Sequence, residues 1–305
     1  MVPLLNQKGQ TLEQFLKAYK EHEKDKYEKP SVTVDTLIFT VKDKEIDNYR
    51  KLPKKELMIM MIKRKDHPFI GQWAIPGGFV NIDEDIYESA KRELREETNI
   101  DNIYMEQLYT WGDVGRDPRM RIISVSYMAL INSDNLSVKA GDDAEEAEWF
   151  SVNLELIEDN KKLVENRFAE VAQLFELKLI NNKDETLSAK IKVEHKVVNS
   201  VAETTTRIVE SNGIAFDHGK IIFYSLQRLR NKIEYTDIAF QLMPEYFTLT
   251  ELQKVYEVIL GEKLYPAQFR RQIEPMVIKT DKMHAEGKGH RPAVLYKFNP
   301  LWRLE

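Results

Sequence analysis

Six residues in one short stretch carry types and spacings that could do chemistry. From Gly78 the chain runs five residues to Glu84, seven more to Arg92-Glu93-Leu94, then one to Glu96-Glu97. Glu93, Glu96 and Glu97 stand three and four residues apart, so on a helix their side chains leave from one face. Three carboxylates held together repel one another, and a cation is the usual remedy. Oxygen ligands without nitrogen or sulfur suit Mg²⁺ or Mn²⁺. The alternative is an ordinary solvated helix face, with the interleaved Arg92 and Arg95 as pairing partners. That alternative explains neither the preceding glycines nor the offset to Glu84.

Positioning these groups takes a strand, a turn and a helix. Trp73 to Pro76 is a short apolar run, and Gly77-Gly78 marks a turn after it. Asp83 is suited to cap a helix beginning near Glu84. Ile86, Tyr87, Ala90 and Leu94 recur at helical steps and are expected to form its buried stripe.

Gly78 to Ile100 resembles the Nudix box, G-x5-E-x7-R-E-U-x-E-E-x-G-U, where U is a bulky aliphatic residue. Every defined position matches except the second glycine, which is Asn99 here. Asn is the next-best residue for a left-handed helix end. The resemblance implies an α/β/α sandwich around a mixed sheet. It implies cleavage of a nucleoside diphosphate linked to a group X, by water attack on phosphorus. Glu93, Glu96 and Glu97 would hold the metal, and one of the glutamates would act on the water. Arg92, with Glu84, would brace the box, and Gly78 would keep the backbone close to metal and phosphate.

Two further loops are candidates. Gly115-Arg116-Asp117-Pro118-Arg119 is a turn bearing two arginines. It reads either as an exposed loop with an internal Arg–Asp pair or as a guanidinium clamp for phosphate. With RIISVSYMALI after it, it looks like Nudix proteins that handle ADP-ribose. Arg116 and Arg119 would then engage the substrate, giving AMP and ribose 5-phosphate. Ala140 to Phe150 is acidic and is either solvated or, as in similar Nudix proteins, the source of one more acid before Trp149. Glu146 fits that place best and Glu145 next.

The chain has 305 residues, which suggests two domains. Its net charge of −5 gives no global nucleic-acid signal, so such a site must be a local patch. No cysteine is present, which excludes disulfides, thiolate metal sites and cysteine nucleophiles and fits a reducing cytoplasm. Leu57 to Ile62, the longest tight apolar run, is too short to span a bilayer. No membrane association is expected.

The expected organisation is an N-terminal helix and linker over 1–30, with Phe15, Leu16 and Tyr19 on its apolar side. A Nudix domain over 31–233 and a small α+β winged-helix domain over 234–305 follow. Val32–Val41, Leu57–Lys63, Met105–Trp111, Arg121–Ile131 and Ala147–Phe150 read as strands. Leu156–Phe175 reads as a helix. Residues 176–210 alternate around Asn181–Asp184 and read as an inserted hairpin. Ala215–Lys232 reads as a second flanking helix, with His218 a surface or interface histidine at its start.

At the C-terminal end Thr248 and Glu251 form a capping box, and the helix they open shows Leu252, Val255, Tyr256 and Ile259 on one face. Gly261 ends it, and Pro266 opens a second helix. Two strands follow, with a basic loop of Lys288, His290 and Arg291 between them. That is a helix-turn-helix with a wing. Residues 266–298 carry seven Lys/Arg against three acids. Gln268, Arg270, Arg271 and Gln272 offer base-edge and phosphate donors on the second helix, as do Lys288, His290 and Arg291 on the wing. The competing reading is a protein-interaction module. This region resembles the C-terminal domain of the Nudix-related transcriptional regulators of NAD metabolism. In such regulators the Nudix domain senses a nucleotide sugar, and the winged helix binds double-stranded operator DNA as a homodimer. The expectation is therefore a Mg²⁺- or Mn²⁺-dependent hydrolase of a nucleotide-sugar diphosphate that also binds DNA; a sensor with little or no hydrolysis is the alternative.

Overall fold

The computed structural model describes residues 5–22, 26–44, 54–98, 103–132, 144–164, 168–284 and 292–303. Its centre is strand β1 (Ser31–Lys44), flanked by β2 (Lys54–Arg64) on one side and β6 (Ile122–Leu130) on the other. β1 runs antiparallel to β2 and parallel to β6, so the sheet is mixed. Beyond β6 lies β5 (Tyr104–Trp111). Beyond β2 lie β7 (Ala144–Val164), β8 (Phe168–Ile180), β9 (Thr186–Val198) and β10 (Val201–Asn212), in that order. Two short strands, β3 (Trp73–Ala74) and β4 (Gly77–Phe79), pair with β2 and β1 respectively.

Alternation along β1 sends side chains to two different cores. Leu37, Phe39 and Val41 join one large cluster with helix α3 (His218–Ile233) and helix α4 (Leu249–Leu260). Val34 and Ile38 face the other way, towards Ala90 and Leu94 of helix α2 (Ile86–Thr98). Helices on both faces make the expected α/β/α sandwich.

Leu156–Phe175 is not a helix. β7 and β8 pair antiparallel across its described residues, from Leu156 opposite Phe175 to Val164 opposite Phe168. The apolar spacing misleads here, because Ile157, Val164, Phe168, Val171 and Phe175 recur at three-, four- and seven-residue steps that mimic a helical stripe. Pairing with neighbouring strands decides the matter, since strand preference is set by context more than by local sequence. The turn at Asn181–Asp184 joins β8 to β9, and β9–β10 continues the meander to the sheet edge.

Two details of α2 also differ from expectation. The helix starts at Ile86, and Asp85, not Asp83, caps it by accepting from the Tyr87 N–H at 2.8 Å. Ala90 and Leu94 are buried, but Ile86 and Tyr87 are exposed, so the stripe is completed by Ser89 and Glu93.

The C-terminal region consists of α4, helix α5 (Pro266–Ile273) and the strand pair β11 (Val277–His284) and β12 (Ala293–Phe298). Thr248 and Glu251 make both bonds of the capping box, and Gly261 adopts φ +78° at the end of α4. Leu252, Val255, Tyr256 and Ile259 are buried. Helix α1 (Leu12–His22) leaves Leu12, Phe15, Leu16 and Tyr19 exposed. No helix among the described residues is long and apolar enough to cross a membrane.

Candidate functional site

β1, β4, the end of β2, the second half of α2 and the start of α3 surround one cavity of about 630 Å³. Its floor is β4. Gly77 and Gly78 pair with Asp35 and Val34 of β1, and the chain then turns into α2. Gly78 has no side chain because Glu93 occupies the place one would take: an added Cβ would lie 2.3 Å from Glu93 Oε1.

Arg92 ties the box together. Its Nε donates to Glu84 Oε1 at 3.0 Å, and its Nη1 donates to Glu93 Oε1 at 2.6 Å and Glu96 Oε2 at 3.1 Å. Its Nη2 donates to Glu84 Oε2 at 3.0 Å and to the Phe79 carbonyl at 3.2 Å. Hydrogen bonds from Arg92 and Ser89 pull the Glu84 carboxyl down to about 2. Glu93 moves the other way. Burial raises its pKa against the opposing pull of Arg92, with Glu96 adding repulsion. Glu84 is thus an anchor for Arg92, and Glu93 is a desolvated carboxylate at the cavity wall.

Glu93 Oε2 and Glu96 Oε1 are not used by Arg92. As hard oxygens on one helix face they fit Mg²⁺ or Mn²⁺. Among the described residues no group of three metal-capable side chains assembles. The side chains of Glu97 and Glu146 lie outside the described part. The backbone places Glu97 in the last turn of α2 and Glu146 in β7.

Arg116 and Arg119 both line the cavity, in different states. Arg116 is buried and forks onto Asp217 through Nε at 2.9 Å and Nη2 at 2.8 Å. Burial opposes its charge, but Asp217 more than compensates and its pKa rises. Arg119 forks onto Asp117 within its own turn, the internal pair that was the alternative for this loop. Its guanidinium also lies 5.6 Å from the Phe79 ring and 6.0 Å from the Phe216 ring.

Arg64, Asp35 and His218 line the cavity without having been singled out by their sequence as site residues. Arg64 ends β2, donates to the Pro68 carbonyl at 2.7 Å and stacks 4.9 Å from Phe216. Burial lowers its pKa, and the positive charge of Arg119 lowers it further. Asp35 is buried in β1, where Ser124 donates to its Oδ2; a carboxylate amid β-branched strand residues was the available signal. His218 does start α3, but it is buried rather than on the surface. Its Nδ1 accepts from the Ile75 N–H at 2.9 Å, and burial lowers its pKa.

A second candidate surface lies on the C-terminal region. Helix α5 buries Phe269 and Ile273 and exposes Gln268, Arg270, Arg271 and Gln272. Lys288, His290 and Arg291 lie outside the described residues.

Comparison with known proteins follows the same division. A NUDIX domain model matches residues 35–174, and a model of the NrtR DNA-binding winged helix domain matches 239–298. The chain is 32% identical over 282 residues to the ADPR responsive transcriptional repressor NtrR of Acinetobacter baylyi, covering 91% of this chain and 86% of that protein. It is 35% identical over 142 residues to the ADP-ribose pyrophosphatase of Methanocaldococcus jannaschii, covering 46% of this chain and 74% of that protein. A MutT/nudix family protein from Enterococcus faecalis superposes with TM-score 0.66 at 27% identity, covering 95% of this chain and 94% of that one. Shewanella oneidensis NrtR complexed with a 27mer DNA superposes with TM-score 0.55 at 26% identity, covering 89% and 94%. This chain belongs to the Nudix superfamily, in the NrtR-like family that joins a Nudix domain to a C-terminal winged helix.

Proposed function

We propose that this protein is an ADP-ribose-binding regulator that hydrolyses its ligand with Mg²⁺ or Mn²⁺ and binds double-stranded DNA through its winged helix. The observation that carries the hydrolytic part is the intact brace of Arg92 on Glu84, Glu93 and Glu96 beside Gly78. Carboxylates held together at this spacing are what metal-assisted attack of water on phosphorus requires.

Glu93, Glu96 and Glu97 would hold the metal ion, which supplies positive charge to the phosphate oxygens. Arg92 keeps two of these carboxylates turned towards the cavity. A box glutamate orients the attacking water and takes its proton, with Glu146 as a further acid for that task. The water oxygen bonds to phosphorus as the bridging P–O bond breaks, releasing AMP and ribose 5-phosphate. Arg119 is placed for the diphosphate, with Arg64 beside it. Arg116 lines the same cavity as a second substrate-facing arginine, held in place by Asp217.

In the C-terminal region, Gln268, Arg270, Arg271 and Gln272 would enter the major groove while Lys288, His290 and Arg291 contact backbone. A homodimer would present two such helices to two half-sites. We take the domain limits as 1–30, 31–233 and 234–305.

The sensing-only reading is favoured by one observation: the relative that aligns along 91% of the chain is named as a repressor. The test is AMP release from ADP-ribose with Mg²⁺, comparing wild type with Glu93→Gln and Glu97→Gln. Turnover in wild type alone supports the hydrolase. Tight ADP-ribose binding without turnover would establish the sensor instead.

A further inference from the structure

Asp35 and His218 form a pair of buried polar groups that the hydrolytic chemistry leaves unused. They come from opposite parts of the chain, one from the middle of β1 and the other from the start of α3, and both line the cavity. Asp35 is 8% exposed, and Ser124 donates to its Oδ2. Its Oδ1 faces Gly77, where an added Cβ would lie 3.1 Å away. Among the described residues no hydrogen bond reaches that oxygen.

His218 is 5% exposed. The Ile75 N–H bonds to its Nδ1, so the neutral ring carries its proton on Nε2. Burial keeps the ring neutral, and Asp35 is the strongest charge acting on it. A fixed acceptor and a fixed donor therefore line the same cavity. A hydroxyl group both donates and accepts, so one hydroxyl has the chemistry to serve both groups. Leaving either unpaired costs free energy that the ligand can recover.

We propose that Asp35 and His218 read a sugar hydroxyl of the ligand, Asp35 accepting its proton and His218 donating to its oxygen. This assignment rests on the ADP-ribose reading and deepens it. The pair makes the site specific for an intact sugar beside the diphosphate; it takes no part in bond cleavage. The hydroxyl belongs either to the adenosine ribose or to the distal ribose.

The test is calorimetric binding to the full chain, with Ca²⁺ in place of Mg²⁺ to suppress turnover. The probes are ADP-ribose and analogues that each lack one hydroxyl of one ribose. Wild type should bind one of these analogues about 10- to 100-fold more weakly than ADP-ribose, and the sugar affected locates the hydroxyl. In Asp35→Ala that discrimination should fall to less than about threefold, because the group that read the hydroxyl is gone. A residue with a merely structural role would weaken every probe equally and preserve the ratio. Wild-type binding of all analogues within about threefold of ADP-ribose would overturn the proposal while leaving the ADP-ribose reading intact. So would an unchanged ratio in Asp35→Ala. Absence of any wild-type binding to ADP-ribose would sink the reading and the assignment together. If Asp35→Ala does not fold, the wild-type profile decides, with His218→Gln, which keeps a donor, retaining part of the discrimination.

Discussion

Gly78 and Glu93 are packed so closely that no side chain fits between them: a Cβ on Gly78 would meet the whole Glu93 carboxylate, at 2.3, 2.4 and 2.6 Å. The glycine belongs to the site by what it lacks. Gly78→Ala should push Glu93 out of place and lower AMP release about 100-fold, the usual cost of displacing a catalytic group by about 1 Å. Wild-type turnover in purified Gly78→Ala would show that Glu93 has no positional role.

Glu84 and Glu93 should respond to pH in opposite senses. The folded pKa of Glu84 is depressed from 4.5 to about 2, so its contribution to stability is present above its unfolded pKa and is lost as pH falls towards 2. The folded pKa of Glu93 is raised, so its ionisation costs stability as pH rises through the unfolded value of 4.5. Melting temperatures of Glu84→Gln and Glu93→Gln, each measured against wild type from pH 3 to 7, check this. The Glu84→Gln deficit should grow with pH. Glu93→Gln should become relatively more stable with pH, even though it loses turnover.

Arg116 and Arg119 share a turn but differ in burial and in partner. Arg116 is 7% exposed at its side chain and holds Asp217, whereas Arg119 is 39% exposed. Arg116→Ala leaves the half-buried Asp217 carboxylate without its charge-assisted hydrogen bonds and should cost about 2 kcal/mol in urea unfolding. Arg119→Ala should cost much less and instead weaken ADP-ribose binding. Equal stabilities for the two variants would contradict this division.

Thr248 is buried and makes both bonds of its capping box, accepting from the Glu251 N–H at 3.1 Å while its own N–H donates to Glu251 Oε2 at 2.7 Å. Thr248→Ala should destabilise the chain by about 1 kcal/mol. Because α4 shares a core cluster with the sheet, calorimetry should show the loss in the main transition rather than in a separate one.

On α5, Arg271 is exposed beside Arg270 and Gln272. Arg271→Ala should weaken DNA binding by a similar factor on all sequences and reduce the slope of log K against log salt by about 1. A wild-type chain with no salt-dependent DNA affinity would make this region a protein-interaction module.

The box was legible in the sequence because its chemistry is local. Arg92, Glu93 and Glu96 lie within five residues, and helical geometry alone brings Glu96 one turn beyond the other two. Helix α4 was legible for the same reason: its cap, its apolar face and its terminal glycine are all set within one short segment. Legibility failed at β7 and β8. Their apolar spacing fits a helix as well as a strand, and what decides is pairing with β2 and β9 on either side.

The amino-acid order by itself determined a Nudix box on a helix and a winged helix behind it. Tertiary structure decided what else stands in the cavity. Arg64, Asp35 and His218 lie far apart in the chain, and Ile75 and His218 are separated by 143 residues yet share a hydrogen bond. A lone arginine, aspartate or histidine has no spacing to betray it. Only the pairing of β1 with β4 and the docking of α3 beside them give these three residues a common neighbourhood.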